Sequence, residues 1–467
     1  MSLVSSSFLF LFLPLSVLIY HLIPASKNQL YRNIFLVLIS LFFYTWGEPF
    51  YIFLLLLLML FVYAAGIFID GKQNTVFAKI IVFLTAVLGV GVIVYFKKPH
   101  LGMSFFVFFA VSYVVDIYRG KCSSPKSFLY TALYLSAFFK VTQGPIIEYN
   151  QFQSQIENRH ADRDMIYRGI KRFLVGLAKK ALIASSISGI EVWIFSDGIG
   201  KLSVVNAWFG CVACLVNTFI DFSAYTDMAC GMALLFGFRL PENFNYPYIA
   251  RSVTEYWQRW HMTLIQWFKD YLYYPITLGP SVRFRKFLLK HGVKKETAKK
   301  LQNVFVPACV WIPTALWHGG NLNYLMWGVF NCLACVLEMN RKSSKSVGSK
   351  NIGGWLYTIL FLMLMVPLLI CENTGSALAY YGAMFGIGHN AFINDLTFFI
   401  LKEYGVFIVA GLILCFPVGR KVSGYLRSKF GDNAIGLIED VALIILTVVS
   451  IAFVIKTGSS FFIYQMY

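Results

Sequence analysis

The sequence contains few charged residues. Only 13% of its 467 residues are Asp, Glu, Lys or Arg, whereas a soluble globular protein carries about 25%. Apolar residues make up 58% of the chain and aromatic residues 18%, and apolar runs recur along its whole length. These proportions exclude disorder, a small disulfide scaffold and a water-soluble enzyme. They predict an all-α polytopic membrane protein.

Acidic residues are scarce in particular. The chain has 22 Asp and Glu against 40 Lys and Arg, which gives a formal net charge of +18. No zinc-finger spacing is present, and nearly all aromatic residues lie in apolar runs, so we predict no nucleic-acid partner. The positive-inside rule and anionic lipid headgroups account for the basic excess, which makes membrane lipids the expected partners.

The chain has nine cysteines, an odd number. Two C-x-x-C pairs, Cys211/Cys214 and Cys332/Cys335, lie inside apolar helical runs. Residues at this spacing share a helix face, and such a pair is able to bind a metal or to act in redox chemistry. Cysteine is more often a small packing residue in such helices. We therefore predict packing roles and no metal site.

Apolar runs long enough to span a bilayer, about 20 residues each, recur from end to end. Together with shorter runs they predict about 11–13 transmembrane or re-entrant helices. The long runs are 7–24, 31–47, 50–69, 78–96, 103–118, 172–195, 203–222, 303–318, 322–338, 354–371, 397–416 and 437–456, and the shorter ones are 129–142, 226–238, 261–277 and 376–388. Non-helical backbone at membrane depth needs a protein interior or a water-filled cavity. The many half-length pieces therefore indicate a cavity.

The orientation follows from the placement of Lys and Arg. Basic residues follow the first, third and fifth predicted helices, and the stretch 283–300 holds eight Lys or Arg and one acid. With these loops in the cytoplasm, both termini are predicted to be extracytoplasmic. Lys97 and Lys98 fall on the opposite side from this assignment.

Two of the seven histidines stand out. His318 ends an apolar run in PTALWHGG, and His261 lies in the polar and aromatic segment 251–277. An ionisable group at membrane depth is costly and is by default a functional hypothesis. An interfacial amphipathic helix would explain the Trp and Tyr residues of 251–277. It explains less well an Arg, a His and an Asp within twelve residues, which favours a polar cavity.

Six blocks of the chain, in order, resemble the membrane-bound O-acyltransferase family. The resemblance is to the bacterial branch that acylates cell-surface polymers, and most of all to the membrane subunit of alginate O-acetylation systems. It covers most of the chain. The matching blocks are FFYTWGEPFYI, PHLGMSFFVFFAVSYVVDIYRG, TQGPIIEY, DFSAYTDMACGMALLFGF, NFNYPYIARSVTEYWQRWHMTLIQWFKDYLYYPI and ALWHGGNLNYLMWG. The chain departs from the family at Gln258, where an Arg is usual, and at TLGP, where a double glycine is usual.

The resemblance implies a fold and two central residues. The expected fold is a single integral-membrane domain, 1–467, with a tunnel and a central catalytic segment, 239–340. The family's catalytic histidine falls on His318, and its second signature position falls on His261. A neutral imidazole with a pKa near 6.5 is a good general base for hydroxyl attack on a thioester, and burial keeps it neutral. His261 is then expected to orient the substrate or to stabilise the oxyanion.

Neighbouring residues are candidates for binding the substrate or the acyl donor. Arg259 is expected to position a charged donor, and Asp270 to anchor Arg259 or Lys269. Trp260 and Trp317, adjacent to the two histidines, complete this predicted set.

The last segment, 457–467, ends in FFIYQMY. An aromatic tail anchored at the interface is one interpretation. Polymer-acylating members of this branch resemble one another in ending with a tyrosine-containing aromatic tail, and that tyrosine falls on Tyr464. The resemblance implies that Tyr464 accepts the acyl group outside the membrane, with Tyr467 as the competing acceptor.

The implied function is O-acetylation of an exopolysaccharide or of peptidoglycan from the bacterial cytoplasmic membrane. The expected donor is acetyl-CoA or another acyl thioester, with no bound cofactor. The expected partner is an extracytoplasmic SGNH-type acyltransferase, because the sequence shows no polymer-binding domain. One alternative is a D-alanyl transferase for teichoic acids that uses a carrier-protein donor. A polytopic transporter is the alternative outside enzymes.

Overall fold

The computed structural model describes residues 2–24, 29–47, 49–95, 102–125, 127–196, 198–341, 352–387 and 390–457. Within these ranges the chain is helical and has no β-strand. The first ten helices are α1 Phe8–Leu22, α2 Leu30–Gly47, α3 Tyr51–Ile69, α4 Val76–Tyr95, α5 Met103–Tyr118, α6 Phe128–Ser136, α7 Tyr149–Asn158, α8 Arg163–Phe195, α9 Val204–Leu235 and α10 Val253–Arg259. Two of them, α1 and α8, include a short π-helical segment.

Ten more helices follow α10. They are α11 Met262–Phe268, α12 Tyr274–Leu278, α13 Pro280–Lys290, α14 Lys295–Trp317, α15 Leu322–Arg341, α16 Ile352–Ile370, α17 Thr374–Phe385, α18 Asp395–Cys415, α19 Val418–Phe430 and α20 Asp432–Thr457. The all-α class predicted from the sequence is confirmed.

Nine helices of the described chain are long and apolar enough to cross a membrane: α2, α3, α4, α8, α9, α15, α16, α18 and α20. Two shorter apolar helices, α1 and α5, accompany them. The protein is therefore a multi-pass membrane protein.

One predicted break in the helices is wrong. The sequence suggested separate segments at 203–222 and 226–238, but α9 runs without interruption from Val204 to Leu235, through the first segment and most of the second. The polar residues that lowered the local hydropathy, among them Ser223 and Thr226, are buried inside the protein. The hydroxyl of Thr226 donates to the backbone carbonyl of Ser223 at 3.0 Å. Polar groups satisfied in this way do not need a break in the helix.

The chain divides into two compact units. The first comprises Met1–Ala181, Phe222–Glu242 and Leu437–Tyr467, and the second comprises Leu182–Asp221 and Asn243–Gly436. In the first unit, Arg172 donates to both carboxylate oxygens of Glu242, at 2.7 and 2.6 Å, and to Asp227 at 3.2 Å. Lys179 reaches the other oxygen of Asp227 at 2.7 Å. Mutual pairing of this kind makes charges tolerable near membrane depth.

The second unit contains both predicted site histidines. Its apolar core includes Trp311, Trp327 and Tyr380. All nine cysteines of the chain are free, and Cys211, Cys214 and Cys332 lie in this core. They occupy the positions of small packing residues. That the whole chain acts as one integral-membrane domain stays a prediction.

Candidate active site

His261 lies at a sharp turn between two short helices. It follows α10 and precedes α11, with φ 45° and ψ 50°. A left-handed conformation costs a residue other than glycine roughly 1–2 kcal/mol. The surroundings must therefore hold this turn in place. The side chain is 2% exposed.

The backbone and side chain of Asn243 hold the turn. The backbone carbonyl of Asn243 accepts the N–H of Met262 at 2.8 Å. Two residues later, the N–H of Asn245 donates to the carbonyl of Arg259 at 2.9 Å. The Asn243 side-chain oxygen lies 3.0 Å from Nδ1 of His261 and 2.9 Å from the hydroxyl of Thr263. The Asn243 side chain thus holds the ring of His261, and the backbone bonds of Asn243 and Asn245 hold the turn.

His318 lies at the C-terminal end of α14. Its backbone N–H donates to the carbonyl of Thr314 at 3.1 Å, and the N–H of Gly320 donates to the carbonyl of Ala315 at 3.3 Å. Gly319 and Gly320 have φ of 140° and 70°. Both values are unfavourable for residues with a side chain. The WHGG sequence therefore ends α14 and presents the imidazole beside the start of α15.

Three aromatic rings lie close to the half-buried His318. The ring centroids of Trp317, Tyr324 and Trp327 lie 4.8, 6.0 and 5.3 Å from that of His318. Among the described residues, no carboxylate contributes to the pKa of His318. These rings exclude water from part of the imidazole, which disfavours its charged form.

The structure brings the two histidines into electrostatic contact. Both lie outside the nine candidate membrane spans. Burial lowers the pKa of His318 from 6.5 to about 4. Burial, and secondly the charge of His318, lowers the pKa of His261 to about 3. Both rings are therefore neutral at pH 7 and have a lone pair for accepting a proton.

Residues outside the predicted site set connect the two histidine segments. The rings of Trp257, Trp311 and Trp327 contact one another with centroids 5.0 to 5.8 Å apart. Nε1 of Trp257 donates to Oδ1 of Asn331 at 2.9 Å. These contacts hold α10, which leads to His261, against α14 and α15, which flank His318.

A carboxylate on α15 adds to this connection. Glu338 accepts the backbone N–H groups of Val253 at 2.7 Å and Thr254 at 2.8 Å. Asn331 and Glu338 are polar residues within the apolar run of α15. The rule that singled out the histidines applies to them as well, and it would have identified them.

The other predicted residues have mixed positions. Arg259 donates through Nε to Glu255 at 2.9 Å and through Nη1 to the Asn245 carbonyl at 3.1 Å. Asp270 accepts from Gln266 at 2.8 Å. Asp270 therefore does not anchor Arg259, because Glu255 lies one helical turn before Arg259 and takes that role. The alternative that Asp270 anchors Lys269 stays a prediction.

The two predicted tryptophans differ from each other. Trp260 is buried against Phe244 and Tyr256, with centroids 5.1 and 5.7 Å away, and forms part of the aromatic core. Trp317 contacts His318 directly. Tyr464 and Tyr467 lie outside the described residues.

The described ranges contain no group of three or more His, Cys, Asp or Glu that could hold a metal ion. The site offers a neutral histidine pair beside aromatic rings, together with the Arg259–Glu255 pair on α10. Such a site is suited to taking a proton from a hydroxyl.

Comparisons with known proteins extend these observations. The family model described as MBOAT, membrane-bound O-acyltransferase family, matches residues 103–343, which include both histidines. The "Probable alginate O-acetylase AlgI" of Pseudomonas fluorescens is 32% identical over 82% of this chain and 75% of that protein. The "Peptidoglycan O-acetyltransferase" of Helicobacter pylori is 28% identical over 81% of this chain and 79% of that protein. The "Teichoic acid D-alanyltransferase" of Bacillus subtilis is 26% identical over 50% of this chain and 59% of that protein.

Proposed function

The chain belongs to the membrane-bound O-acyltransferase family, and from that premise we propose that it moves an acetyl group from a cytoplasmic thioester across the membrane. The acetyl group serves the O-acetylation of a cell-surface polysaccharide or of peptidoglycan. The family match makes the protein an acyltransferase. Two relatives that match about four-fifths of the chain are named for the O-acetylation of alginate and of peptidoglycan. These names support an acetyl group as the cargo and a cell-surface polymer as its destination.

The pair of neutral histidines carries this proposal. In the proposed step, a ring nitrogen of His318 takes the proton of the acceptor hydroxyl while the oxygen attacks the thioester carbonyl. The new C–O bond forms, the C–S bond breaks, and the leaving thiolate takes the proton from the imidazolium. A neutral His318 is ready for the first transfer, because its pKa is lowered to about 4.

The other residues bind and position in this scheme. Trp317 covers one side of the His318 ring. Arg259 positions the anionic part of the donor. It does so as part of a pair with Glu255, so that its charge is partly compensated until the donor arrives. His261 lies within electrostatic reach of His318 and acts on the same substrates.

We assign the outward half of the reaction to Tyr464. A phenol has a pKa near 10, far below that of a sugar hydroxyl. An acyl ester of Tyr464 therefore keeps enough transfer potential for a second enzyme, which we infer to be an extracytoplasmic SGNH-type acyltransferase. This assignment requires the tail outside and the donor inside a bacterial cytoplasmic membrane.

D-alanylation of teichoic acid remains the second candidate. One observation supports it: half of the chain matches a protein of that name at 26% identity. In that case the thioester would be attached to a carrier protein, and the basic stretch 283–300 would meet the carrier's acidic surface.

The test uses purified protein in detergent and acetyl-CoA labelled in the acetyl group. Wild type is compared with His318→Ala and Tyr464→Phe, and retained label is located by peptide mass spectrometry. His160→Ala is the matched control, because His160 is exposed and lies in the other compact unit. We expect label on the C-terminal peptide of wild type and His160→Ala only.

Other outcomes would contradict separate parts of the proposal. Label from a D-alanyl carrier but none from acetyl-CoA would favour the second candidate. Label that persists in Tyr464→Phe would remove the tyrosine step, with Tyr467 as the next residue to test. Full transfer by His318→Ala would remove the proposed base.

A further inference from the structure

The side chain of Asn243 has a defined orientation. The Asn243 atom assigned as Oδ1 lies 3.4 Å from the backbone nitrogen of Thr263 and 2.9 Å from its hydroxyl. A backbone N–H can only donate, so the amide atom that faces it is the oxygen, and the Thr263 hydroxyl, which is able to donate or accept, then donates to the same oxygen.

This orientation determines where His261 carries its hydrogen. The same oxygen lies 3.0 Å from Nδ1 of His261. An amide oxygen only accepts hydrogen bonds, so Nδ1 carries the hydrogen and donates it. A neutral imidazole has one N–H group. Nε2 of His261 is therefore the nitrogen that carries no hydrogen.

The backbone strengthens this arrangement. The carbonyl of Asn243 holds the N–H of Met262 at 2.8 Å, directly after His261. Side chain and backbone of one residue thus hold the left-handed turn at His261 and its ring together. Asn243 is 2% exposed, which keeps water from competing for the amide.

We propose that Asn243 is a positioning residue that keeps His261 in the Nδ1–H form, so that Nε2 acts in the reaction as a hydrogen-bond acceptor. This inference rests on the proposed function and decides between the two roles open to His261. A neutral ring held in this way cannot donate from Nε2 to an oxyanion. It is able to receive a hydrogen bond from the reacting groups, and the oxyanion donors must be other groups.

The direct test reads the tautomer and needs no activity. The protein is labelled with nitrogen-15 in its histidine rings, and the ring nitrogens are observed by solid-state NMR in lipid. Seven histidines are present, and the signals of His261 are those lost in His261→Gln. We expect a protonated Nδ1 and a bare Nε2 in wild type, and a mixture of both tautomers in Asn243→Ala.

Kinetics add a second readout. For Asn243→Ala we expect kcat to fall on the order of 10²-fold, with the KM for the thioester within about twofold. Asn243→Asp keeps an accepting oxygen and adds a negative charge. That charge raises the pKa of His261, so activity should return at alkaline pH and the acid limb of the pH profile should move upward.

The matched control is Asn206→Ala. Asn206 is also a buried asparagine of the second unit, and it donates to Asn394 at 3.0 Å. It measures the effect of losing a buried amide away from the histidines. A protonated Nε2 in wild type, or an Asn243→Ala protein with wild-type kcat and an unchanged tautomer, would overturn the inference. If wild type transfers no acyl group from any thioester, the proposed function fails, while the NMR result still decides the tautomer.

Discussion

Glu338 accepts the backbone N–H of Val253 at 2.7 Å across 85 positions of sequence. Its second oxygen accepts the N–H of Thr254 at 2.8 Å. The first N–H groups of a helix have no partner within the helix, and a carboxylate there also interacts favourably with the helix dipole. One residue of α15 thus anchors the short helix α10, which leads to His261.

Glu338→Ala should destabilise the fold and lower the acyl-transfer rate. The substitution leaves two largely buried N–H groups without acceptors, which costs roughly 1–3 kcal/mol per group. Glu338→Gln keeps one accepting oxygen and should be intermediate. Thermal unfolding in detergent measures the first effect, and single-turnover transfer per folded molecule measures the second. Glu372→Ala, at an exposed acid of the same unit, is the control. Equal midpoints for the Ala and Gln variants would contradict the capping role.

The acid limb of the activity profile should lie well below pH 6.5. Protonation removes the lone pair that accepts the hydroxyl proton, so activity falls as pH falls through the folded pKa. That pKa is about 4 for His318 and about 3 for His261. We expect a flat transfer rate from pH 8 to about 5.5 and a midpoint near pH 4, reported as apparent values of the pair.

Stability at each pH must be measured alongside. In the unfolded chain these histidines titrate near 6.5. Their lowered folded pKa values therefore contribute stability that is complete above pH 6.5 and is lost as pH falls toward 4. If the transfer rate falls with a midpoint at pH 6.5 while the protein is still folded, the reacting histidine is well solvated and the prediction is wrong.

Gly319→Ala should impair catalysis more than folding. A Cβ at Gly319 would lie 2.8 Å from the ring of Tyr324, and its φ is 140°. The strain is relieved by moving the loop that holds His318, so we expect a loss of kcat on the order of tenfold to a hundredfold, since small misplacements of a reacting group have effects of this size. Gly382→Ala is the control, because a Cβ there meets no atom within 4 Å. A Gly319→Ala protein with normal kcat would show that the loop tolerates the added methyl group.

The apolar runs predicted the long helices because a long run of apolar residues is stable only where it is buried in lipid or protein. The predicted segment 50–69 is the helix Tyr51–Ile69, and 354–371 is Ile352–Ile370. The same reasoning failed at α9, because hydropathy does not distinguish a polar residue in a loop from one satisfied inside a helix.

The site was only partly predictable for a different reason. His261 and His318 could be identified from their sequence neighbours alone, because each is an ionisable residue in apolar surroundings. The residues that hold them act over long separations, such as Glu338 on Val253. The left-handed turn at His261 is set by Asn243, and no local pattern predicts such a conformation for a histidine.

Glu255→Gln should strengthen donor binding. Glu255 pairs with Arg259 at 2.9 Å, one helical turn apart, and both side chains are partly exposed. Removing the negative charge leaves Arg259 with its full charge, and coenzyme A is an anion. We expect the KM for acetyl-CoA to fall by about two- to fivefold at low salt and the difference to shrink at high salt. Arg259→Gln should raise the same KM.

The control for this prediction is Asp164→Asn. Asp164 forms the same kind of pair, one helical turn from Arg168, at 2.6 Å in the other compact unit. A change in KM for Glu255→Gln and Arg259→Gln, in opposite directions, with none for Asp164→Asn would locate the donor's phosphates at Arg259. If neither substitution at the site changes the KM, Arg259 serves only to hold the α10 turn through Glu255 and the Asn245 carbonyl, and the donor binds elsewhere.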